Sequence, residues 1–167
     1  MSVKEFQPYH GAVLATLLRN DRPVSLRMIE TRPQDTWAAY TINDEVTLYI
    51  KYSTKPSVRK REENALVWTF TFAPEHLEEL RELYKQRKVY IALVCGQRNI
   101  EHGNMQICFL EPTEFEACID ITAVEVQNIS VKYLPRKKLR VWGGVNTATN
   151  PILVANSKLE KWAVPGS

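Results

Sequence analysis

Residues 89–95, VYIALVC, form a nearly unbroken apolar run bounded by Lys88 and Gly96. A stretch this short and this apolar suits a strand buried on both faces, in a sheet with cover on either side. Just before it lies the strongest helical pattern in the chain. Pro74 suits a first helical position, Glu75, Glu78 and Glu79 follow near the positive end of the dipole, and Lys85, Arg87 and Lys88 crowd the negative end. Leu77, Leu80, Leu83 and Tyr84 make its apolar stripe. A helix that feeds a doubly buried strand is half of a crossover unit, so the run is expected to pair in parallel with an earlier strand.

Three candidate strands precede that unit, at 24–31, 37–42 and 46–53, separated by Arg32-Pro33-Gln34-Asp35 and Asn43-Asp44-Glu45. Links this short favour antiparallel pairing. In the third, Val46, Leu48, Ile50 and Tyr52 alternate with Thr47, Tyr49, Lys51 and Ser53, which implies one core face and one polar or functional face. Residues 65–72 read as a further strand with Trp68, Phe70 and Phe72 on one side. A leading helix is expected over 10–20, a strand over 105–110 after a turn at 97–104, a short helix over 111–117, and a hairpin from 124–133 and 138–142 around Leu134-Pro135-Arg136-Lys137. The fold class that follows is mixed α/β: a single domain over residues 1–143, with a central mixed β-sheet flanked by two or three helices. Residues 144–167 are weakly patterned and read as a tail or surface-wrapping segment.

Length and composition agree with one globular unit. A chain of 167 residues buries roughly 70% of its unfolded surface and needs no staple. Its 44% hydrophobic and 25% charged content argues against global disorder. Cys95, Cys108 and Cys118 are an odd set without paired spacing, and all lie in apolar runs. That favours free thiols and a cytoplasmic setting. Met1–His10 has no apolar signal-like core, and no stretch approaches the ~20 apolar residues that span a bilayer, so no membrane is expected among the partners.

Several chemistries are not supported. The chain has no G-x-x-x-x-G-K-[ST], G-x-G-x-x-G, C-x-x-C, H-E-x-x-H or G-x-S-x-G, and His10, His76 and His102 are widely spaced. His10, beside Tyr9, reads either as a polar site residue or as a packing partner at the first helix.

The order of elements over residues 10–110 (helix, antiparallel strands, helix, buried strand) resembles the PD-(D/E)XK, or restriction-endonuclease-like, nuclease family. In that family an acid ends one strand and the next carries D/E-x-K, because residues i and i+2 share a strand face. The carboxylates hold Mg²⁺ and the lysine helps to position or activate the attacking water. The resemblance places Lys51 of Leu48-Tyr49-Ile50-Lys51-Tyr52-Ser53 at the lysine position and Asp44 as a metal-binding acid, with Glu30 as the second carboxylate that sheet packing could supply. It implies a Mg²⁺-dependent phosphodiesterase with Lys51, Asp44 and Glu30 as its catalytic set. The chain departs from the pattern at Tyr49, where the family has an acid. Asp44 equally suits ordinary turn chemistry.

Two basic clusters point to nucleic acid independently of that family. Lys55, Arg59, Lys60 and Arg61 occupy one loop, and Arg136, Lys137, Lys138 and Arg140 the end of the last hairpin, with Tyr52 and Trp68 near the first and Tyr133 and Trp142 near the second. Cations answer phosphates, and aromatic faces stack unpaired bases. The net charge of +3 is a weak bias, so the distribution of charge carries this expectation. The leading reading is therefore a nucleic-acid-interacting domain, with DNA or RNA as partner and a degenerate nuclease-like fold. Its rivals are a non-catalytic protein-interaction domain or small homo-oligomer using an apolar sheet edge, and a small-molecule pocket under the Trp68–Phe72 strand.

Overall fold

The computed structural model describes residues 6–32, 37–97 and 105–166, without the side chains of residues 6, 7 and 30–32. The expected turns at 32–35 and 97–104, and His102, fall largely outside the described residues. The chain opens with α1 (Phe6–Leu18) and three strands, β1 (Leu26–Arg32), β2 (Trp37–Ile42) and β3 (Val46–Ser53). It crosses to another sheet with β4 (Ser57–Arg59) and β5 (Ala65–Phe72), then returns through α2 (Pro74–Gln86) to β6 (Lys88–Cys95). β7 (Gln106–Leu110), α3 (Pro112–Cys118), β8 (Gln127–Tyr133), β9 (Leu139–Gly143) and β10 (Ile152–Val154) complete it.

The apolar run does pair in parallel: β6 lies beside β3 from Val46↔Lys88 to Ser53↔Cys95. The other neighbours of this mixed sheet are antiparallel, giving sheet A the order β1-β2-β3-β6-β7. Sheet B, β10-β9-β8-β5-β4, is antiparallel throughout. The architecture is thus mixed α/β, with three helices among the described residues, as the sequence patterns imply. A second sheet is the feature they do not announce. Its two edges, β4 and β10, are three-residue strands in segments that read as a charged loop and a tail. So short a strand carries no period that a sequence could display.

Two cores hold the layers. Between the sheets, Trp68, Phe70 and Phe72 of β5 meet Tyr49, Ile91 and Leu93 of sheet A, with Leu77, Leu80 and Leu83 of α2 and Phe115 of α3 closing the sides. On the far side of sheet A, Tyr9, Val13 and Leu17 of α1 pack on Leu48, Ile50 and Val94 together with Leu159 and Val164. Each large side chain so buried contributes roughly 1.5–3 kcal/mol over its exposed state. β3 is consequently buried on both faces, and the polar face its alternation implies is covered by sheet B and its helices. The proposed space under the Trp68–Phe72 strand is filled by the same side chains, and the Trp68 indole N–H donates to the Gly96 carbonyl at 2.7 Å.

Residues 144–166 are woven into the domain. β10 pairs with β9, and the segment then wraps back over the N-terminal half. Asn20 Nδ2 donates to the Trp162 carbonyl at 2.7 Å and Asn43 Nδ2 to the Pro165 carbonyl at 2.9 Å. Among the described residues no helix is long and apolar enough to cross a membrane.

Gly143 ends β9 where the chain presses on α3: a Cβ there would stand 2.3 Å from the Cys118 carbonyl oxygen, which already accepts the Val145 N–H at 3.0 Å. Gly11, on the exposed side of α1, has open space. We expect Gly143→Ala to lose about 1–3 kcal/mol through overpacking, and Gly11→Ala to gain about 0.5–1 kcal/mol through helix entropy. Urea unfolding midpoints should move in opposite directions, and equal shifts would contradict the packing described.

Candidate nucleic-acid interface

The solvent face of sheet B is built by strand alternation. Ile129 and Val131 of β8 and Leu139 and Val141 of β9 point into the core, which sends Ser130, Lys132, Arg140 and Trp142 outwards. Pairing then lays these residues in rows across the strands. One row runs Thr69–Ser130–Trp142 and the next Ser57–Val67–Lys132–Arg140–Leu153, while Arg59 of β4 lies opposite Ala65, one step further towards the β8–β9 turn. Successive rows on one face are roughly 7 Å apart.

A cavity of ≈ 230 Å³ opens on this face, walled by Arg59, Glu62, Lys132, Arg140 and Trp142. Glu62 enters through a tight turn in which Glu63 and Asn64 both have positive φ, 57° and 59°. Lys132 Nζ lies 2.8 Å from Glu62 Oε1, with the lysine 11% and the glutamate 50% exposed. The hydrogen bond from Lys132 holds the Glu62 carboxyl below its ordinary 4.5 against an opposing desolvation, and the charges of Lys132, Arg59 and Arg140 add to the effect. The carboxylate is in effect the anion that three cations share. Trp142, half-buried in the same wall, offers an aromatic face beside them.

The basic residues marked in the sequence are therefore sorted. Arg59 of the first cluster and Arg140 of the second meet in the cavity, although they lie far apart in the chain. Lys55, Lys60 and Arg61 are exposed outside its walls. Arg136, Lys137 and Lys138 line a different cavity with Tyr133. Tyr52 and Trp68 do not flank the first cluster, because each is packed in a core. Sequence reasoning missed Lys132, although the alternation of Asn128, Ser130 and Lys132 with Ile129, Val131 and Tyr133 was the signal for it.

The residues assigned by the nuclease resemblance are placed differently. Asp44 is an exposed residue of the β2–β3 turn: Asn43 and Asp44 have φ of 52° and 54°, and Glu45 N–H closes on the Ile42 carbonyl at 3.0 Å. Lys51 stands near the other end of β3, roughly 15–20 Å away along the strand. It is 3% exposed, and its Nζ lies 5.3 Å from the Phe72 ring centroid in the inter-sheet core. The structure does not bring Asp44 and Lys51 together. Glu30 sits in β1 opposite Ala39, and its side chain lies outside the described ones. Among the described residues no group of three His, Cys, Asp or Glu side chains is placed to hold a metal ion. Asp44 and Lys51 thus do not fit a Mg²⁺ centre, and no catalytic step is derived through them. His10 is buried with its ring edge-on to Tyr52 at 5.8 Å, in a packing position. Burial raises all three cysteine thiols, Cys118 to about 11, so they stay protonated near neutral pH. Compared with protein-family models, curated proteins and solved structures, the chain finds no match.

The depressed Glu62 pKa fixes a sign. A carboxyl lowered by folding stabilises above its unfolded value, and that contribution fades as pH falls through the folded value. Side-chain carboxyl NMR should therefore place the Glu62 midpoint below 4.5, and Lys132→Met should bring it back upwards. An unmoved midpoint in the variant would show that Lys132 does not govern this carboxylate.

Proposed function

We propose that the protein binds nucleic acid on the outer face of sheet B. The observation that supports this reading is the convergence of Arg59, Lys132, Arg140 and Trp142 on one cavity. Three cations around one exposed carboxylate exceed what that carboxylate neutralises, and a phosphate carries the charge and the acceptor oxygens to take its place. A base whose phosphate lies over Arg140 is within reach of the Trp142 ring, which stacks any base without regard to sequence. The hydroxyls and amide of Thr69, Ser130, Thr71 and Asn128 extend the face as a polar surface, in which Thr71 Oγ1 donates to Asn128 Oδ1 at 2.9 Å.

Phosphodiester hydrolysis by Lys51 with Asp44 has no support from the geometry, since these two side chains are apart. The rival protein-docking reading has one observation in its favour: Met28 and Ile29 on edge strand β1 are 55% and 41% exposed. The ladder is interrupted between Met28 and Glu30, however, and such a bulge is a common means of blocking edge-to-edge association.

Fluorescence anisotropy with a labelled single-stranded oligonucleotide tests the proposal. The logarithm of affinity should fall linearly with that of salt concentration, and Arg140→Glu should weaken binding and flatten the slope. Trp142→Ala should cost about 1–3 kcal/mol, while Lys55→Glu, outside the cavity, should change affinity least. Binding that ignores salt and both cavity substitutions would overturn the assignment, and a concentration-dependent dimer without oligonucleotide affinity would favour the β1 edge instead.

A further inference from the structure

Building on the nucleic-acid reading of sheet B, we infer that the ligand is a flexible single strand that continues from the Trp142 cavity around the β8–β9 hairpin into a second site beside Tyr133. That second site, a shallow and open depression of ≈ 360 Å³, is lined by Tyr133, Arg136, Lys137, Lys138, Gln106 and Asn156 among others. The two sites are opposite sides of one hairpin. Lys132 and Tyr133 are consecutive on β8, so their side chains leave opposite faces of the strand, the lysine into the first cavity and the tyrosine into the second.

β10 also links the two sites, by its ends. Pro151, just before that strand, lines the first cavity, and Ala155, Asn156 and Ser157, just after it, line the second. The way between the sites passes Lys132 and Arg140 on the hairpin and then the tip, where Lys137 N–H closes on the Leu134 carbonyl at 3.2 Å and Arg136 takes a φ of 64°. Pro135, Arg136, Lys137 and Lys138 are all exposed at that tip.

The second site differs in chemistry from the first. Among the described residues none that lines it is acidic, in contrast to Glu62 in the first site. Asn156 Nδ2 donates to Gln106 Oε1 at 3.0 Å, an amide pair that carries donors and acceptors suited to base edges. Tyr133, half-buried against the inter-sheet core, supplies a second aromatic surface by its remaining exposed part. The arrangement is a stacking residue at each end of a cationic path, bent over a hairpin. A duplex, stiff over about 150 base pairs, cannot follow that bend, whereas a single strand can.

The path predicts a length threshold. Labelled oligothymidylates of about 4 and about 12 nucleotides bracket one site and both. The longer should bind about tenfold or more tightly than the shorter. Tyr133→Ala, and separately the double substitution Lys137→Glu with Lys138→Glu on the exposed tip, should remove that advantage and leave the short strand's affinity unchanged. Trp142→Ala should weaken both lengths. A duplex of the longer length should compete poorly. Equal affinity at both lengths, an equal loss for both strands in the tip variant, or full competition by duplex would each overturn the continuous path while leaving the first cavity intact. Failure of every oligonucleotide to bind would remove the sheet B reading itself, and circular dichroism of the tip variant separates loss of binding from loss of fold.

Discussion

The parallel ladder between β3 and β6 is the constraint on which the rest of the molecule depends. Two adjacent parallel strands cannot be joined by a tight turn, so the chain must leave sheet A after Ser53 and return at Lys88. It leaves as β4 and β5 and returns as α2. Because β5 carries Trp68, Phe70 and Phe72 on one face, the excursion cannot remain solvated, and it packs those rings onto Tyr49, Ile91 and Leu93. The second sheet then grows outwards from β5, with β8, β9 and β10 on one side and β4 on the other.

That growth positions the proposed binding face. β5 lies between β4, which carries Arg59, and β8, which carries Lys132, and β9 adds Arg140 and Trp142 on the same side. Like charges brought this close repel one another, and Glu62, held in place by the turn at Glu63 and Asn64, relieves part of the repulsion. Glu62 is paired with Lys132, but its exposure keeps that ion pair weak in its own right, which is what the proposed phosphate exchange requires.

Lys51 shows how a correct local pattern can leave a residue's surroundings undetermined. Its alternation with Val46, Leu48, Ile50 and Tyr52 is real, and β3 spans Val46–Ser53 as the pattern implies. A polar face on a strand ordinarily meets water, but here it meets a second sheet, and the lysine ends over the Phe72 ring. The helix over 74–87, the doubly buried VYIALVC and the aromatic strand at 65–72 were legible for the opposite reason. Each is set by its own sequence period and needs no information about its partner.

The sequence by itself determined the mixed α/β class, the extent of most strands and helices, the parallel return into β6 and the presence of two separate basic segments, because these are properties of local periodicity, turn chemistry and composition. Only the tertiary structure decided that Arg59 and Arg140 share a cavity, that Lys132 joins them, that Asp44 and Lys51 stand apart, and that β10 and the final residues belong to the domain. Those outcomes depend on which strands become neighbours. Neighbourhood is set by packing free energy summed over the whole chain, and no short window of residues contains it.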